Sequence, residues 1–450
     1  MENTVWQGVQ HIHFIGIGGS GMFPIVQILK SRGYHITGSD NNPGDTIELE
    51  RKMGIDVSIG HDPDNLSGAD MVVYTAALMK DNPELVAAKE RGIPTYERSA
   101  VLGYITEQYD DCICVSGTHG KTTTTAMLTQ ILVSAGLDPT AVIGGKLPLI
   151  GGNGRAGSSS IMTCEACEFV DTFLHLSPDI SVILNVDADH LDYFGTLENI
   201  IKSFRKFAEK TTRLLIVNGD DANSLKAVEG LDKRTITFGL GEGNTYQARS
   251  IVREKGLHRF ELWRAGEKLT DIALSVPGKH NVLNALAAAA AALEVGATPE
   301  QIAEHLFQFK GAGRRFEILG TKNGVTIADD YAHHPAELGV TLEVAQEMGY
   351  NKVWAVFQPF TYSRTALLLD DFARVLAIAD RVVMSEIMGA REKNTYNIYT
   401  KDLADKIPGS VWYPGFEEMA NYVMENASPG DLVLTLGCGD VYKCAKLMLK

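Results

Sequence analysis

Cys112-Ile113-Cys114-Val115-Ser116-Gly117-Thr118-His119-Gly120-Lys121-Thr122 decides the fold of this chain. An apolar run breaks into a glycine-rich turn and then into a helical stretch reaching Ala135, the order strand, loop, helix. In that setting the backbone N–H groups from Gly117, Thr118, His119 and Gly120 through Thr123 can surround phosphate oxygens. Lys121 can reach the terminal phosphates of a nucleoside triphosphate, and the Thr122 hydroxyl can ligate Mg²⁺. The general pattern asks for glycine where this chain has Val115, so the loop is a shortened variant.

Towards the N-terminus a second glycine loop, Gly16-Ile17-Gly18-Gly19-Ser20-Gly21, follows the apolar stretch His11–Ile17 and opens a helix that Gly33 closes. Asp40 ends the next strand, Ile36–Ser39. Glycines there let a backbone approach a pyrophosphate, and the acid can bond a ribose hydroxyl, so the loop suits any nucleoside diphosphate as well as a dinucleotide. A tight structural turn is the bland alternative. Strand Met71–Thr75 and helix Glu84–Arg91 continue the alternation, which is that of a parallel sheet wrapped by helices.

Towards the C-terminus the runs Ile161–Cys164, Ser181–Asn185 and Leu214–Asn218 read as further strands of the central unit. Between 234 and 276 the pattern turns to period two, which predicts antiparallel strands in a β-rich insertion. An alanine-rich helix from Asn281 to Glu294 and a helix from Pro299 to Phe309 lead to Lys310-Gly311-Ala312-Gly313, a break placed for a hinge. Beyond it Val325–Ala328, Val353–Phe357, Arg381–Ser385 and Leu432–Leu436 read as strands. The expectation is α/β architecture in three domains, 1–110, 111–313 and 314–450.

A chain of 450 residues exceeds what one core organises, and 45% hydrophobic with 22% charged residues is ordinary globular composition. The net charge of −15, without a basic stripe, argues against nucleic acid as partner. No signal-peptide core and no run long enough to span a bilayer stands in the sequence, which points to the cytoplasm and away from a membrane. Six cysteines in this length are read as structural, since Cys164-x-x-Cys167 has no second pair at zinc-site spacing.

Oxygen and nitrogen groups gather at strand ends. Glu165 and Glu168 follow one strand, and His190 stands among Asp187, Asp189 and Asp192 after another. Carboxylates so placed in a phosphate-loop domain suit Mg²⁺; a solvated acidic loop is the alternative. In the last domain Asp329-Asp330-Tyr331-Ala332-His333-His334-Pro335 sets acids and histidines after a strand, at the face where such sheets bind ligands, or else caps the next helix. Arg314-Arg315 could swing onto a phosphate, or could be an exposed pair.

As a set, and in this order, these residues resemble the Mur ligase family, and within it the alanine-adding branch. The resemblance spans nearly the whole chain: Gly16 to Met22, the phosphate loop with its run to Thr125, Glu165 to Glu168, Asp187 to Asp192, Gly278 to Asn284, Gly313 to Glu317, Asp330 to Pro335 and Tyr362-Ser363-Arg364-Thr365. It implies a Rossmann-like first domain for the UDP of UDP-N-acetylmuramate, a P-loop ATPase-like central domain for ATP and a Rossmann-like third domain that closes over both. It implies an acyl phosphate, made from the sugar carboxylate and ATP, that the amine of L-alanine displaces, in peptidoglycan synthesis. Carried over by position, Lys121 and Thr122 serve the phosphates and a first Mg²⁺, Glu165 that ion, and His190 a second. Asn281, with His280, contacts adenine, Arg315 the γ-phosphate and Asp330 the ribose. His333 and Arg364 face the amino acid, and Gly16, Gly18, Gly19, Ser20, Gly21 and Asp40 hold the uridine diphosphate.

Two departures stand out. Gln358-Pro359-Phe360-Thr361-Tyr362 lacks the histidine that many alanine-adding members carry after Gln-Pro, and no carbamylated lysine falls in register, Lys202 and Lys206 flanking Phe204. A ligase that recycles a preformed peptide onto the same sugar nucleotide is the near competitor, set aside on the run Gly19 to Met22. A nicotinamide dehydrogenase leaves the phosphate loop unexplained, and a P-loop switch protein leaves the first domain unexplained. A monomer or weak homodimer is expected.

Overall fold

A computed structural model of the protein describes residues 4–390 and 392–450, with Thr4 and Asp192 described by backbone alone. The chain divides into two compact units: Met1–Ile251 with Arg259–Ala273 and His280–Phe309, and Val252–His258 with Leu274–Lys279 and Lys310–Lys450. Three sheets run through them.

The first unit opens with a five-stranded parallel sheet in the order Asp56–Ile59, His35–Asp40, His11–Ile15, Met71–Tyr74, Thr95–Glu97. In its central strand Ile12, Phe14 and Ile15 are wholly buried, and the buried His13 ring has Nδ1 2.8 Å from Thr37 Oγ1. That strand ends at Ile15, short of the expected Ile17, since Gly16 takes φ +80° and turns the chain. The helix after the loop starts at Phe23, with Pro24 in its first turn.

A ten-stranded sheet follows, its parallel centre built from Leu214–Asn218, Ile180–Ile183, Asp111–Ser116, Ile161–Glu165 and Thr140–Leu147 in that order. The β-rich stretch expected between 234 and 276 is present, and its strands lengthen this sheet at one edge. Thr235–Gly239 and Tyr246–Glu254 pair in parallel, against expectation, and Leu257–Arg264 pairs with Glu267–Ala273 antiparallel, as expected. The alanine helix His280–Glu294 packs on the phosphate-loop helix Lys121–Ser134, and its run Ala285 to Ala292 is buried because methyl side chains permit the close approach.

In the second unit a six-stranded sheet runs Glu317–Lys322, Val325–Asp330, Leu432–Leu436, Val353–Phe357, Arg381–Ser385, Val411–Tyr413, parallel but for its first strand. No helix among the described residues is long and apolar enough to cross a membrane. The cysteines are free thiols, Cys112, Cys114 and Cys164 at the centre of the large sheet, in line with the structural reading.

Candidate active site

The phosphate loop joins the buried strand Asp111–Ser116 to the helix Lys121–Ser134 through two positions only glycine fills easily. Gly117 has φ +146° and a Cβ there would stand 2.8 Å from Leu184 Cβ; Gly120 has φ +87° and its Cβ would lie 2.5 Å from Asn284 Oδ1. Asn185 braces the turn by accepting from the His119 N–H at 2.8 Å and donating to the His119 carbonyl at 3.0 Å. Thr118 Oγ1 accepts from the Asp187 N–H at 2.8 Å.

Lys121 Nζ donates to the Gly117 and Thr118 carbonyls at 2.6 and 3.0 Å and pairs with Glu168 at 2.8 Å. Burial disfavours the ammonium, but the Glu168 carboxylate, with help from Cys167 and Glu165, holds its pKa above the ordinary lysine value. Thr122 Oγ1 donates to Glu165 Oε1 at 2.9 Å, and the Gly144 N–H donates to Glu165 Oε2 at 2.7 Å. The two glutamates are thereby separated in role: Glu168 is the counter-ion of Lys121, and Glu165 stands with Thr122 as a pair of hard oxygen donors.

His190 takes φ +50°, its N–H donates to Asp189 Oδ1 at 2.7 Å, and its ring packs on Phe169 at 4.7 Å. Its Nε2 lies 3.8 Å from Asp189 Oδ2. Asp192, expected beside it, lies outside the described side chains. No group of three or more His, Cys, Asp or Glu suited to a metal forms among the described residues. Thr122 and Glu165 are hard oxygen donors of the kind that would hold a divalent ion. Asn281 and His280 open the alanine helix, where Asn284 donates to Asn281 Oδ1 at 2.9 Å while its Oδ1 faces Gly120.

The first glycine loop is held differently. Ser39 O accepts from the Gly16 and Ile17 N–H groups at 2.8 and 3.1 Å, and Asp40 Oδ2 accepts from the Gly18 N–H at 3.1 Å. Asp40 Oδ1 accepts from the Asn42 N–H at 3.0 Å, so Asp40 fixes the loop itself. Its remaining lone pairs suit a ribose hydroxyl. The Arg98 guanidinium lies 3.5 Å from where a Cβ on Gly21 would be, which puts a cation beside the end of the loop. Sequence reasoning missed Arg98, because an arginine after a three-residue strand carries no motif.

In the second unit the Arg314-Arg315 pair divides. Arg314 is anchored: Nε pairs with Asp329 at 2.8 Å, Nη1 donates to the Gly439 carbonyl at 3.2 Å, and the Tyr331 and Tyr442 rings lie 5.0 and 5.1 Å away. Arg315 stands over the Tyr331 ring at 5.3 Å with Asp330 as its neighbouring charge. Asp330 accepts from the Phe316 and Ala332 N–H groups, both at 2.7 Å, yet burial lifts its pKa to about 6 against the pull of Arg315. His333 Nδ1 is 3.1 Å from the Tyr331 carbonyl and 3.3 Å from Glu337, and its ring is edge-on to Phe360 at 6.4 Å. Arg364 sits on the short helix Tyr362–Leu367, which Glu392 secures by accepting from Ser363 N and Oγ at 2.8 and 2.6 Å. Arg364 Nη1 is buried without a hydrogen-bond partner, as a guanidinium awaiting a carboxylate would be.

Three family profiles match the chain in order: Mur ligase family, catalytic domain, over 11–110; Mur ligase middle domain over 115–292; and Mur ligase, glutamate ligase domain, over 314–439. UDP-N-acetylmuramate–L-alanine ligase of Acetivibrio thermocellus is 44% identical over 453 residues, covering 98% of this chain and 96% of that protein. The enzyme of that name from Caldanaerobacter subterraneus is 44% identical over 448 residues, covering 98% and 97%. Among solved structures, UDP-N-acetylmuramate-alanine ligase of Thermotoga maritima superimposes with a TM-score of 0.83 at 28% identity, 98% of each chain covered. A murein peptide ligase of Psychrobacter arcticus, 23% identical with a TM-score of 0.76 over 98% of each chain, shares the fold.

Proposed function

The chain belongs to the Mur ligase family, and from that premise we infer that it is an ATP-dependent ligase that joins L-alanine to the carboxylate of UDP-N-acetylmuramate in peptidoglycan synthesis. The observation that carries the reading is the pairing of Thr122 with Glu165 beside Lys121 in a phosphate loop, in a chain with a second, braced glycine loop of its own. A carboxylate resists amines until its oxygen becomes a leaving group. Its oxygen attacks the γ-phosphorus of ATP and ADP departs; the amine then attacks the acyl carbon and phosphate leaves.

Lys121 holds a fixed positive charge where the transferred phosphoryl group gathers negative charge. We assign the first Mg²⁺ to Thr122 and Glu165 and a second to His190; bound there, the ions neutralise phosphate charge. The backbone from Gly117 to Thr123 takes the triphosphate, His280 and Asn281 the adenine, Asp330 the ribose and Arg315 the γ-phosphate. Gly16, Gly18, Gly19, Ser20, Gly21 and Asp40 take the uridine diphosphate, joined by Arg98. Arg364 takes the alanine carboxylate, and His333 faces its amine. The protein acts in the cytoplasm as a monomer or weak homodimer.

The test is phosphate release from ATP with Mg²⁺, UDP-N-acetylmuramate and single amino acids in turn. Alanine is expected to give the fastest release. Release only with a preformed peptide would move the chain to the recycling ligases, and none with alanine, glycine or serine would end the alanine reading.

A further inference from the structure

The described side chains of the second unit bring one titratable ring into a setting that fixes where its lone pair points. His333 follows the strand Val325–Asp330 and precedes the helix Pro335–Glu347, whose first turn carries Glu337. Its Nδ1 faces two acceptors, the Tyr331 carbonyl at 3.1 Å and Glu337 Oε2 at 3.3 Å. Neither can donate a proton at neutral pH, so Nδ1 must carry the hydrogen and the lone pair is left on Nε2. Glu337 Oε2 is itself held in place, accepting from the His333 N–H at 3.1 Å and the His334 N–H at 3.4 Å.

The charges around the ring come from every neighbouring element. Burial lowers the His333 pKa first; Glu337 on its own helix raises it, Arg364 on the helix Tyr362–Leu367 lowers it, the Tyr331 carbonyl raises it, and Arg315 before the strand Glu317–Lys322 lowers it. The ring is thus neutral near pH 7, beside a guanidinium with an unpartnered nitrogen. An α-amino acid arrives with its amine protonated, and an ammonium is no nucleophile. A neutral imidazole beside a carboxylate-seeking arginine meets both ends of such a zwitterion.

We propose that His333 is the general base that takes a proton from the alanine ammonium at Nε2, and that Glu337 is the positioning residue that fixes the tautomer which exposes that atom. This rests on the assignment of His333 and Arg364 to the amino-acid substrate. One ammonium proton passes to Nε2, the freed nitrogen lone pair forms the C–N bond, and the acyl C–O pair departs with phosphate, which carries the second proton. His333 then returns its proton to solvent.

The experiment compares two nucleophiles, alanine and hydroxylamine, the latter already unprotonated at neutral pH and trapped as the hydroxamate of the sugar carboxylate. His333→Asn is expected to lower alanine-dependent phosphate release by about 10²-fold near pH 7, as loss of a general base does. The loss should shrink as the pH is raised and free alanine amine accumulates, while hydroxamate formation stays near wild type. Glu337→Gln should move the acid limb of kcat/KM for alanine to lower pH, since removing the anion makes the imidazole a weaker base. Equal loss with both nucleophiles in a variant that melts like wild type overturns the proposal, as does an unmoved acid limb in Glu337→Gln; His333→Gln serves if the asparagine variant melts lower. A rise in KM for ATP or UDP-N-acetylmuramate with alanine kinetics unchanged overturns the underlying assignment instead.

Discussion

Two loops in the first unit have the same grammar, an apolar strand, a glycine-rich turn and a helix, and opposite electrostatic construction. The loop at Gly16 is braced by acceptors: the Ser39 carbonyl and the Asp40 carboxylate hold its N–H groups, and the cation at Gly21, Arg98, comes from outside the loop. In the loop at Gly117 the cation is the loop's own: Lys121 pairs with Glu168, and the Thr122 hydroxyl donates to Glu165. The first arrangement suits a diphosphate that is held and left intact. The second suits a phosphate whose charge moves during the reaction, because its cation and hard oxygen donors are preset. Glycine spacing specifies that a phosphate binds; the charged side chains around the loop specify whether it reacts.

The strongest way to break that contrast is Lys121→Ala. Turnover should fall by about 10²–10³-fold or more, the scale of losing a preorganised charge, while calorimetry finds UDP-N-acetylmuramate affinity unchanged. The single variant strands buried Glu168 without its cation, a cost of about 3–5 kcal/mol. Lys121→Ala with Glu168→Gln should therefore recover the unfolding midpoint but not the activity. Parallel loss of UDP-sugar affinity would show that the two loops do not work separately. Next in size, Glu165→Gln should weaken the apparent Mg²⁺ affinity on the order of 10- to 100-fold, read from a Mg²⁺ titration of phosphate release. An unchanged titration would remove Glu165 from the ion.

Much of this was legible in sequence where the signal is local. Val353–Phe357, Arg381–Ser385 and Leu432–Leu436 are strands at the expected residues, because short, mainly apolar runs of that length suit a sheet covered on both faces. Both loops and their glycines were equally plain. The helix Asp45–Lys52 escaped because it buries only Ile47 and Glu50 and so has no apolar stripe. The strand Thr95–Glu97 is three residues long and only half-buried. The parallel pairing of Thr235–Gly239 with Tyr246–Glu254 also escaped, since period two reports a half-buried strand and not its direction. At the site the sequence supplied Glu165 and Glu168 without dividing their roles. That division depends on Lys121, Thr122 and Gly144 meeting them across the sheet, which no spacing encodes. The same holds for Arg314 and Arg315, adjacent in sequence and differently held.

A smaller effect sharpens the first loop. Arg98→Ala should raise KM for UDP-N-acetylmuramate by about 10-fold through loss of a charge-assisted contact, with kcat and the KM for ATP unchanged. A fall in kcat at constant KM would mean the guanidinium acts in the chemistry, and the line drawn between the two loops would move.

The smallest expected effect concerns the acids beneath the loops. Glu168 is buried with a lysine; Glu50, buried completely near Asp40, has no hydrogen-bond partner on either carboxyl oxygen. Burial first, then the Asp40 charge, raises the Glu50 pKa to about 8 from an ordinary 4.5. Between those values the folded chain keeps a proton that the unfolded chain has released. Its titration therefore costs nothing below pH 4.5, destabilises the fold increasingly as the pH rises from there to about 8, and adds no further cost beyond. Glu50→Gln removes the titration but leaves an amide with the same want of partners as the protonated acid, so the variant should match wild type at pH 4 and become the more stable of the two towards pH 8. Urea unfolding of both proteins at the two pH values measures it. A variant with no advantage at pH 8 would mean that Glu50 is as well compensated as Glu168, and that the two loops rest on equally neutralised foundations.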